Sequence, residues 1–187
     1  CRRHERSGNR WGGSVLNLDR ITHDVQQGTE QWLRLREQSD GTASEAPAAL
    51  GVGLYTSRAE LLRTKHTGVA PDHGPAALAL FRAGHDAEAR ARPLAEGVVN
   101  EELFPVTMSV KIAGLTLLAS MDGLTLDERL AWETKLWNEV LAAHVRAGTL
   151  PEHYLVQMDQ QMLVSGAERC LFTVTDGTPE RFVSCWH

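Results

Sequence analysis

The sequence contains few cysteines, and their arrangement excludes several kinds of site. Cys1, Cys170 and Cys185 are the only three among 187 residues, and no two form a Cys-x-x-Cys pair. This spacing argues against a zinc ribbon and against a thioredoxin-like redox motif. An odd and sparse set suits a reducing cytoplasm rather than a disulfide-stabilised secreted domain.

Long apolar runs and an excess of positive charge are also lacking. No run reaches the roughly 18 apolar residues of a membrane-spanning helix. The arginines near the N-terminus are not followed by the apolar segment of a secretory signal. Lys and Arg number 19 against 24 Asp and Glu, giving a net charge of −5. This balance argues against a protein that coats nucleic acid by bulk attraction. It leaves a nuclease open, because bound divalent cations supply positive charge locally.

The pattern along the chain predicts one domain that mixes helices and strands. Residues 1–15 are polar and glycine-rich without periodicity, which is typical of a disordered arm or of a segment left from expression. The remaining residues, 16–187, are expected to form the domain. Helical patterns dominate the first half, and branched, alternating segments follow. The sequence therefore predicts an α+β, or mixed α/β, fold with a central mixed β-sheet flanked by helices.

Capping residues predict where several helices begin. Thr29 precedes the first helical segment, Ser44 precedes the second, and Ser57 with Glu60 forms a capping box for the third. A long alanine-rich helix follows, which Gly84 is expected to interrupt. The predicted helices are 28–37, 46–50, 58–66, 75–96, 140–146 and 151–165, and the predicted strands are 106–110, 112–120, 130–136, 170–174 and 182–185.

Two carboxylates and a lysine are the main candidates for chemistry. Asp122 lies near the end of one strand, and Glu133 and Lys135 lie on the next, where residues two apart share a face. Folding the hairpin at 127–129 brings Asp122 beside them. Two carboxylates are suitable ligands for Mg²⁺, and a nearby lysine can orient an attacking water. By themselves, a Glu-x-Lys on a strand is more often a solvated face and an Asp-Gly pair more often a turn.

Four blocks in order give these residues a context. The first is QGTEQWLRLR followed by TASE (27–36, 42–45), the second is GHDAEARA (84–91), the third joins ASMDGL (119–124) to WETK (132–135), and the fourth is YLVQMDQQMLVSG (154–166). Together they resemble the viral recombinase family that includes lambda exonuclease and the YqaJ group, within the PD-(D/E)xK nuclease superfamily. The resemblance implies a restriction-endonuclease-like core. Met121 and Thr134 depart from the residues usual at their places, and Asp159 stands where glutamine is common.

The resemblance also implies roles for individual residues. Asp122, Glu133 and the main-chain carbonyl of Thr134 would bind the metal, with Glu88 supporting a second ion or its water. Lys135 would orient the nucleophilic water, and Gln157 would face the site. Arg36 and Ser44 would hold the 5′ phosphate of a DNA end, where the planar guanidinium suits phosphate. Glu88 could instead be a surface residue paired with Arg92, and Arg36 could be a surface residue. Gln161 could share the face of Gln157, and His85 is expected to face solvent. Four basic residues are candidates either for DNA contacts or for ordinary surface charges: Arg34, Arg58, Arg63 and Lys65.

The implied activity is that of a single exonuclease domain over 16–187. It would digest one strand of linear double-stranded DNA 5′ to 3′, releasing mononucleotides and leaving a 3′ single-stranded overhang for recombination. The cofactor would be Mg²⁺, with Mn²⁺ an alternative and two ions expected. Expected partners are DNA ends, two further copies in a homotrimeric ring and a single-strand annealing protein. The expected location is the cytoplasm of a bacterial cell, where the protein could also be phage-encoded. The alternatives are a PD-(D/E)xK endonuclease of restriction or repair type and a non-catalytic DNA-binding protein of the same fold.

Overall fold

The computed structural model describes residues 18–69 and 74–187. The arm expected at 1–15 lies outside these residues. The helices are α1 Glu30–Gln38, α2 Ala46–Leu50, α3 Arg58–Thr67, α4 Pro75–Val99, α5 Glu139–Ala147 and α6 Glu152–Ser165, with a 3-10 turn at Pro179–Arg181. The strands are β1 Arg20–His23, β2 Gly41–Thr42, β3 Phe104–Ile112, β4 Leu115–Leu124, β5 Leu130–Leu136, β6 Arg169–Thr175 and β7 Phe182–Trp186. Within the described part of the chain, no helix is long and apolar enough to cross a membrane.

The seven strands form one mixed sheet in the order β1-β3-β4-β5-β6-β7, with β2 pairing with β4. β3, β4 and β5 are antiparallel in succession, and β7 returns antiparallel beside β6. β5 and β6 are parallel, because α5 and α6 lie between them in the chain and provide the crossover that parallel strands need. The predicted mixed sheet flanked by helices is confirmed.

The two faces of the sheet carry separate apolar cores. On one face, α5 and α6 pack against strand residues that include Met121, Ala131 and Phe172. On the other face, Ala91 and Ala95 of α4 pack against Leu103, Trp132 and Leu171. Side chains alternate along β5, so Ala131 lies on the α6 face and Trp132 on the α4 face. Glu133 follows Ala131 to the α6 face, where it meets the glutamines of α6.

Capping explains where two helices begin, and it corrects one prediction. Thr29 caps α1, and Ser57 and Glu60 form the predicted capping box of α3. Ser44 was predicted to cap α2, which is wrong, because the N-cap residue is Glu45 and its side chain makes no capping hydrogen bond. The Ser44 hydroxyl instead accepts from Arg36 and contacts the Thr42 hydroxyl.

The predicted interruption of the long helix at Gly84 is also wrong. α4 runs without a break from Pro75 to Val99. A glycine costs about 1 kcal/mol within a helix, but α4 buries Ala87, Ala91 and Ala95 against the sheet, and that burial outweighs it. β1 and β2 were not predicted. The residues of β1 are exposed or half-buried and show no alternation, and β2 is only two residues long.

Gly123 is expected to be intolerant of a side chain. An added Cβ would lie 2.9 Å from the Leu103 Cβ and 3.1 Å from the Trp132 ring, both buried between the sheet and α4. Gly123→Ala should therefore lower the free energy of unfolding by about 1–3 kcal/mol, as overpacking does. Urea unfolding measures this. The matched control is Gly97→Ala in α4, where the new methyl meets open space and should stabilise by about 0.5–1 kcal/mol. Equal stabilities for the two variants would contradict the packing described.

Candidate active site

The site lies where β4 and β5 cease to pair. Their ladder consists of two residue pairs, Gly123 with Trp132 and Leu124 with Ala131. At the next position, the carboxylate of Asp122 reaches across and its Oδ2 accepts the Thr134 backbone N–H at 2.7 Å. The side chain thus satisfies an amide that would otherwise need a ladder partner. The hairpin brings Asp122 beside the Glu-x-Lys strand, as the sequence predicted.

Glu133 is the most buried acidic side chain of the site and is surrounded by donors. Only 3% of the surface of Glu133 is exposed to solvent. Oε1 accepts from Lys135 Nζ and from Gln157 Nε2, the latter at 2.7 Å. Oε2 accepts from Gln161 Nε2 at 2.6 Å. Lys135 of β5 and two glutamines one turn apart on α6 therefore meet at a single carboxylate.

α4 contributes an acidic and a basic side chain from the other face of the sheet. Glu88 Oε1 accepts from Arg92 Nη2 at 2.9 Å, and both side chains are largely buried, at 16% and 20% exposure. Arg92 also donates to the backbone carbonyls of Asp122, at 2.6 Å, and Leu103, at 3.1 Å. The pairing of Glu88 with Arg92 exists, but it is directed at the site rather than at solvent. His85 is mostly exposed and lies 3.7 Å from Glu88 Oε2.

The carboxylates of Asp122, Glu133 and Glu88 repel one another, and burial limits the screening of this repulsion by water. Burial, and then the charges of Glu133 and Glu88, raise the pKa of Asp122 well above its usual range, with Lys135 and the Thr134 amide offsetting part of this effect. Burial likewise raises the pKa of Glu88, against the attraction of Arg92 and His85. Burial lowers the pKa of Lys135, but attraction to Glu133 and Asp122 outweighs it, and the net pKa is raised. Lys135 is thus held as a cation.

This arrangement suits a hard divalent cation. Clustered carboxylates with raised pKa values are typical of functional sites, where a positive charge relieves their repulsion. Throughout residues 18–69 and 74–187, no three His, Cys, Asp or Glu side chains converge closely enough to enclose a metal by themselves. Mg²⁺ does not require such a cage, because it is usually held by one or two carboxylates together with waters and substrate phosphates. The residues present therefore fit a magnesium site completed by its substrate.

A second polar cluster lies at the end of α1. The guanidinium of Arg36 stacks over the Trp32 ring at 4.6 Å and donates to Ser44 Oγ at 3.2 Å. Glu45 accepts the Thr42 backbone N–H at 2.9 Å and pairs with Lys65 of α3, also at 2.9 Å. The indole N–H of Trp32 donates to Ser120 Oγ at 2.9 Å, two residues before Asp122. Arg36 and Ser44 are thus in contact, and α1 is tied to the strand that carries Asp122.

The structure brings together most of the residues singled out in the sequence. Asp122, Glu133, Lys135, Gln157 and Gln161 share one site, with Glu88 close by. The Thr134 amide binds Asp122, and its carbonyl as a metal ligand stays a prediction. Arg34, Arg58 and Arg63 are exposed, and their DNA contacts stay predictions.

Arg92 was considered only as a surface partner of Glu88. Its spacing of four residues from Glu88 on a helix was the available clue. The sequence also indicates no role for Tyr154, the first residue of the fourth block. The Lys135 ammonium lies 5.9 Å from its ring.

Comparison with known proteins decides the family. A family model described as the YqaJ-like viral recombinase domain matches residues 31–168, which is more than half of the sequence. The chain belongs to this family. All four blocks lie within the match, except for residues 27–30 at the start of the first block. No curated protein sequence is significantly similar to the chain.

Solved structures that are similar to this YqaJ-family chain share its fold. An alkaline exonuclease from Laribacter hongkongensis, LHK-Exo, superposes with a TM-score of 0.65 at 25% identity, over 84% of this chain and 81% of that one. The same protein in complex with dAMP gives 0.66 at 25% identity, over 85% and 82%. The restriction-endonuclease-like core is confirmed, and the family and both structures support a nuclease.

Proposed function

We propose that this chain is a Mg²⁺-dependent exonuclease that digests one strand of linear duplex DNA from its 5′ end. The observation that carries the proposal is the buried Glu133 carboxylate, held between Lys135, Gln157 and Gln161 with Asp122 and Glu88 nearby. Mn²⁺ could replace Mg²⁺, and two ions are expected. The experiment that tests the proposal is a time course of linear duplex degradation with and without Mg²⁺.

Each residue has a specific task in phosphodiester hydrolysis. Asp122 and Glu133 would hold the cation, with Glu88 and the Thr134 carbonyl supporting. When bound, Mg²⁺ supplies a water of lowered pKa and positive charge beside the phosphoryl oxygens. Lys135 Nζ, which stays protonated, orients the attacking water and stabilises the charge that develops on the phosphate. Gln157 donates to Glu133 and faces the same space without adding charge.

The direction and the products of cleavage are part of the proposal. Digestion 5′ to 3′ would release mononucleotides and leave a 3′ single-stranded overhang for recombination. The solved complex of LHK-Exo with dAMP supports a mononucleotide product. We further propose a homotrimeric ring around DNA, an annealing protein as partner and action in the bacterial cytoplasm. A ring would let a net-acidic protein stay on DNA by enclosure rather than by bulk charge.

Two alternatives differ in what they predict. A PD-(D/E)xK endonuclease would cut closed circular DNA as well as linear DNA, and it would have little use for the Arg36 and Ser44 cluster. A non-catalytic DNA-binding protein of this fold would have no reason to gather Asp122 and Lys135 beside the buried carboxylate of Glu133. The contact between Arg36 and Ser44 favours an enzyme that recognises DNA ends.

Arg36 is expected to set a preference for 5′-phosphorylated ends. Arg36→Met keeps an unbranched stem over Trp32 but removes the charged fork. A hydrogen bond to a charged group contributes about 1.5–3 kcal/mol, which corresponds to about 10–100-fold. The ratio of degradation rates on 5′-phosphate and 5′-hydroxyl duplexes, measured at limiting DNA, should fall by that factor.

Arg34→Met is the matched control for this prediction. Arg34 lies two residues earlier on α1, with its side chain 64% exposed and paired with Glu30, so its variant should keep the wild-type ratio. A wild-type ratio in Arg36→Met would show that the terminal phosphate is held elsewhere. Equal falls of this ratio in both variants would indicate long-range attraction of the terminal phosphate by the charges of α1 instead of a pocket.

A further inference from the structure

Gln161 makes an unusual set of contacts for a core residue. Its side chain is completely buried on α6. The amide nitrogen donates to Glu133 Oε2 at 2.6 Å and to the backbone carbonyl of Ser120 at 3.1 Å. The amide oxygen is buried, and among the described residues it meets no hydrogen-bond donor. A buried acceptor without a partner costs about 1–3 kcal/mol, so this orientation has to be enforced.

The neighbours of Gln161 explain why its amide cannot turn over. Both contacts of the nitrogen are acceptors, one a carboxylate and the other a carbonyl. Exchanging the two amide atoms would place an oxygen against two oxygens and remove both hydrogen bonds. Glu133 and Ser120 therefore fix the orientation of the Gln161 amide. This orientation leaves the amide oxygen without a hydrogen bond.

The donors around Glu133 distinguish its two oxygens. Oε1 accepts from both Lys135 and Gln157, which uses its two lone pairs. Among the residues that the structure describes, Oε2 accepts only from Gln161, which leaves one of its lone pairs unused. The direction of that lone pair is set by the Gln161 amide, which is anchored to β4 through Ser120.

We infer that Gln161 is a positioning residue that fixes the Glu133 oxygen available to a divalent cation. This inference rests on the proposed metal site. Groups that orient a metal ligand through hydrogen bonds typically change metal affinity by about 10–100-fold when removed. Gln161 touches neither the DNA nor the cation in this account, and its effect is exerted through Glu133.

The adjacent residue provides a matched control. Gln160 is also on α6, and its amide nitrogen donates to the backbone carbonyls of Gly41 and Leu118, both at 3.2 Å. Gln160→Met and Gln161→Met each remove two hydrogen bonds that a side-chain amide donates, from neighbouring positions. Only Gln161→Met removes a contact to Glu133.

The experiment is a titration of each purified protein with Mn²⁺, followed by electron paramagnetic resonance of the free ion, without DNA. Gln161→Met should weaken Mn²⁺ binding by about tenfold or more, whereas Gln160→Met should bind as wild type. Thermal unfolding separately reports the stability each variant loses. If Gln161→Met does not fold, Gln161→Asn keeps the amide but withdraws it by one methylene, and should weaken binding in the same direction.

The outcomes separate this inference from the proposed function. Wild-type Mn²⁺ affinity in a folded Gln161 variant, or an equal loss in Gln160→Met, would overturn the positioning role while leaving the metal site intact. The metal site, and this inference with it, would be overturned by either of two results. The wild-type protein could bind no Mn²⁺, or Glu133→Gln could bind Mn²⁺ as tightly as the wild-type protein does.

Discussion

Glu133→Gln should reduce Mg²⁺-dependent degradation of linear duplex DNA by at least about a thousandfold, the scale at which a preorganised charge acts in a transition state. The substitution keeps the size of the side chain but removes the negative charge that would hold the cation. It also turns an NH2 group, which can only donate, toward the donors Lys135, Gln157 and Gln161. The rate is measured on 5′-phosphorylated linear duplex, well below the Tm of each protein.

The control for this prediction is Glu168→Gln. The Glu168 carboxylate is 61% exposed and pairs with Arg129 at the surface, so the same change of charge there should leave the rate within about twofold, since exposed pairs contribute little. Degradation by Glu133→Gln within tenfold of wild type would show that the cation is bound without this carboxylate.

Asp122→Asn should abolish activity and yet stabilise the protein in the absence of divalent ions. Asp122 is crowded by the carboxylates of Glu133 and Glu88, and burial raises its pKa further. Asparagine keeps an oxygen for the Thr134 N–H but removes one repelling charge. Relief of such strain at a functional site commonly stabilises by about 0.5–2 kcal/mol, which raises the Tm by a few degrees, about 2–4 °C per kcal/mol, in a chain of this size.

Thermal unfolding in EDTA and in Mg²⁺ tests this prediction. Mg²⁺ should raise the wild-type Tm, because a ligand that binds only the folded state stabilises it, and it should leave Asp122→Asn unchanged. Asp86→Asn removes the same charge from an exposed position on α4 and should keep the wild-type response. A lower Tm for Asp122→Asn in EDTA would mean that Asp122 supports the fold rather than a metal site.

Local sequence patterns predict the parts of the fold that depend on local chemistry. The capping box at Ser57 and the hairpin between Asp122 and Glu133 follow from spacing alone, and both are present. The roles of Arg36 and Glu88 needed the resemblance to a family. From spacing alone, each is an ordinary helix residue, and only the tertiary contacts direct Arg36 to Ser44 and Glu88 toward the strands.

The remaining features depend on contacts between distant parts of the chain. Arg92 reaches the carbonyl of Asp122, which is 30 residues further along the chain, and no local pattern indicates this bond. The Gly84 prediction was wrong because burial of α4 outweighs the local cost of one glycine. Ser44 was assigned as a cap from its position before a helix, whereas its hydroxyl is engaged by Arg36. In each case a tertiary contact overrides a local preference.

The most direct test of the central claim is a Mg²⁺-dependent time course on 5′-phosphorylated linear duplex and on the same DNA as a closed circle. Wild-type protein should release mononucleotides from the 5′ end of the linear DNA, leave the circle intact and degrade nothing in EDTA. Cleavage of the closed circle would indicate an endonuclease. Binding of the linear duplex without any degradation in Mg²⁺ or Mn²⁺ would show that the site around Glu133 is not a nuclease site.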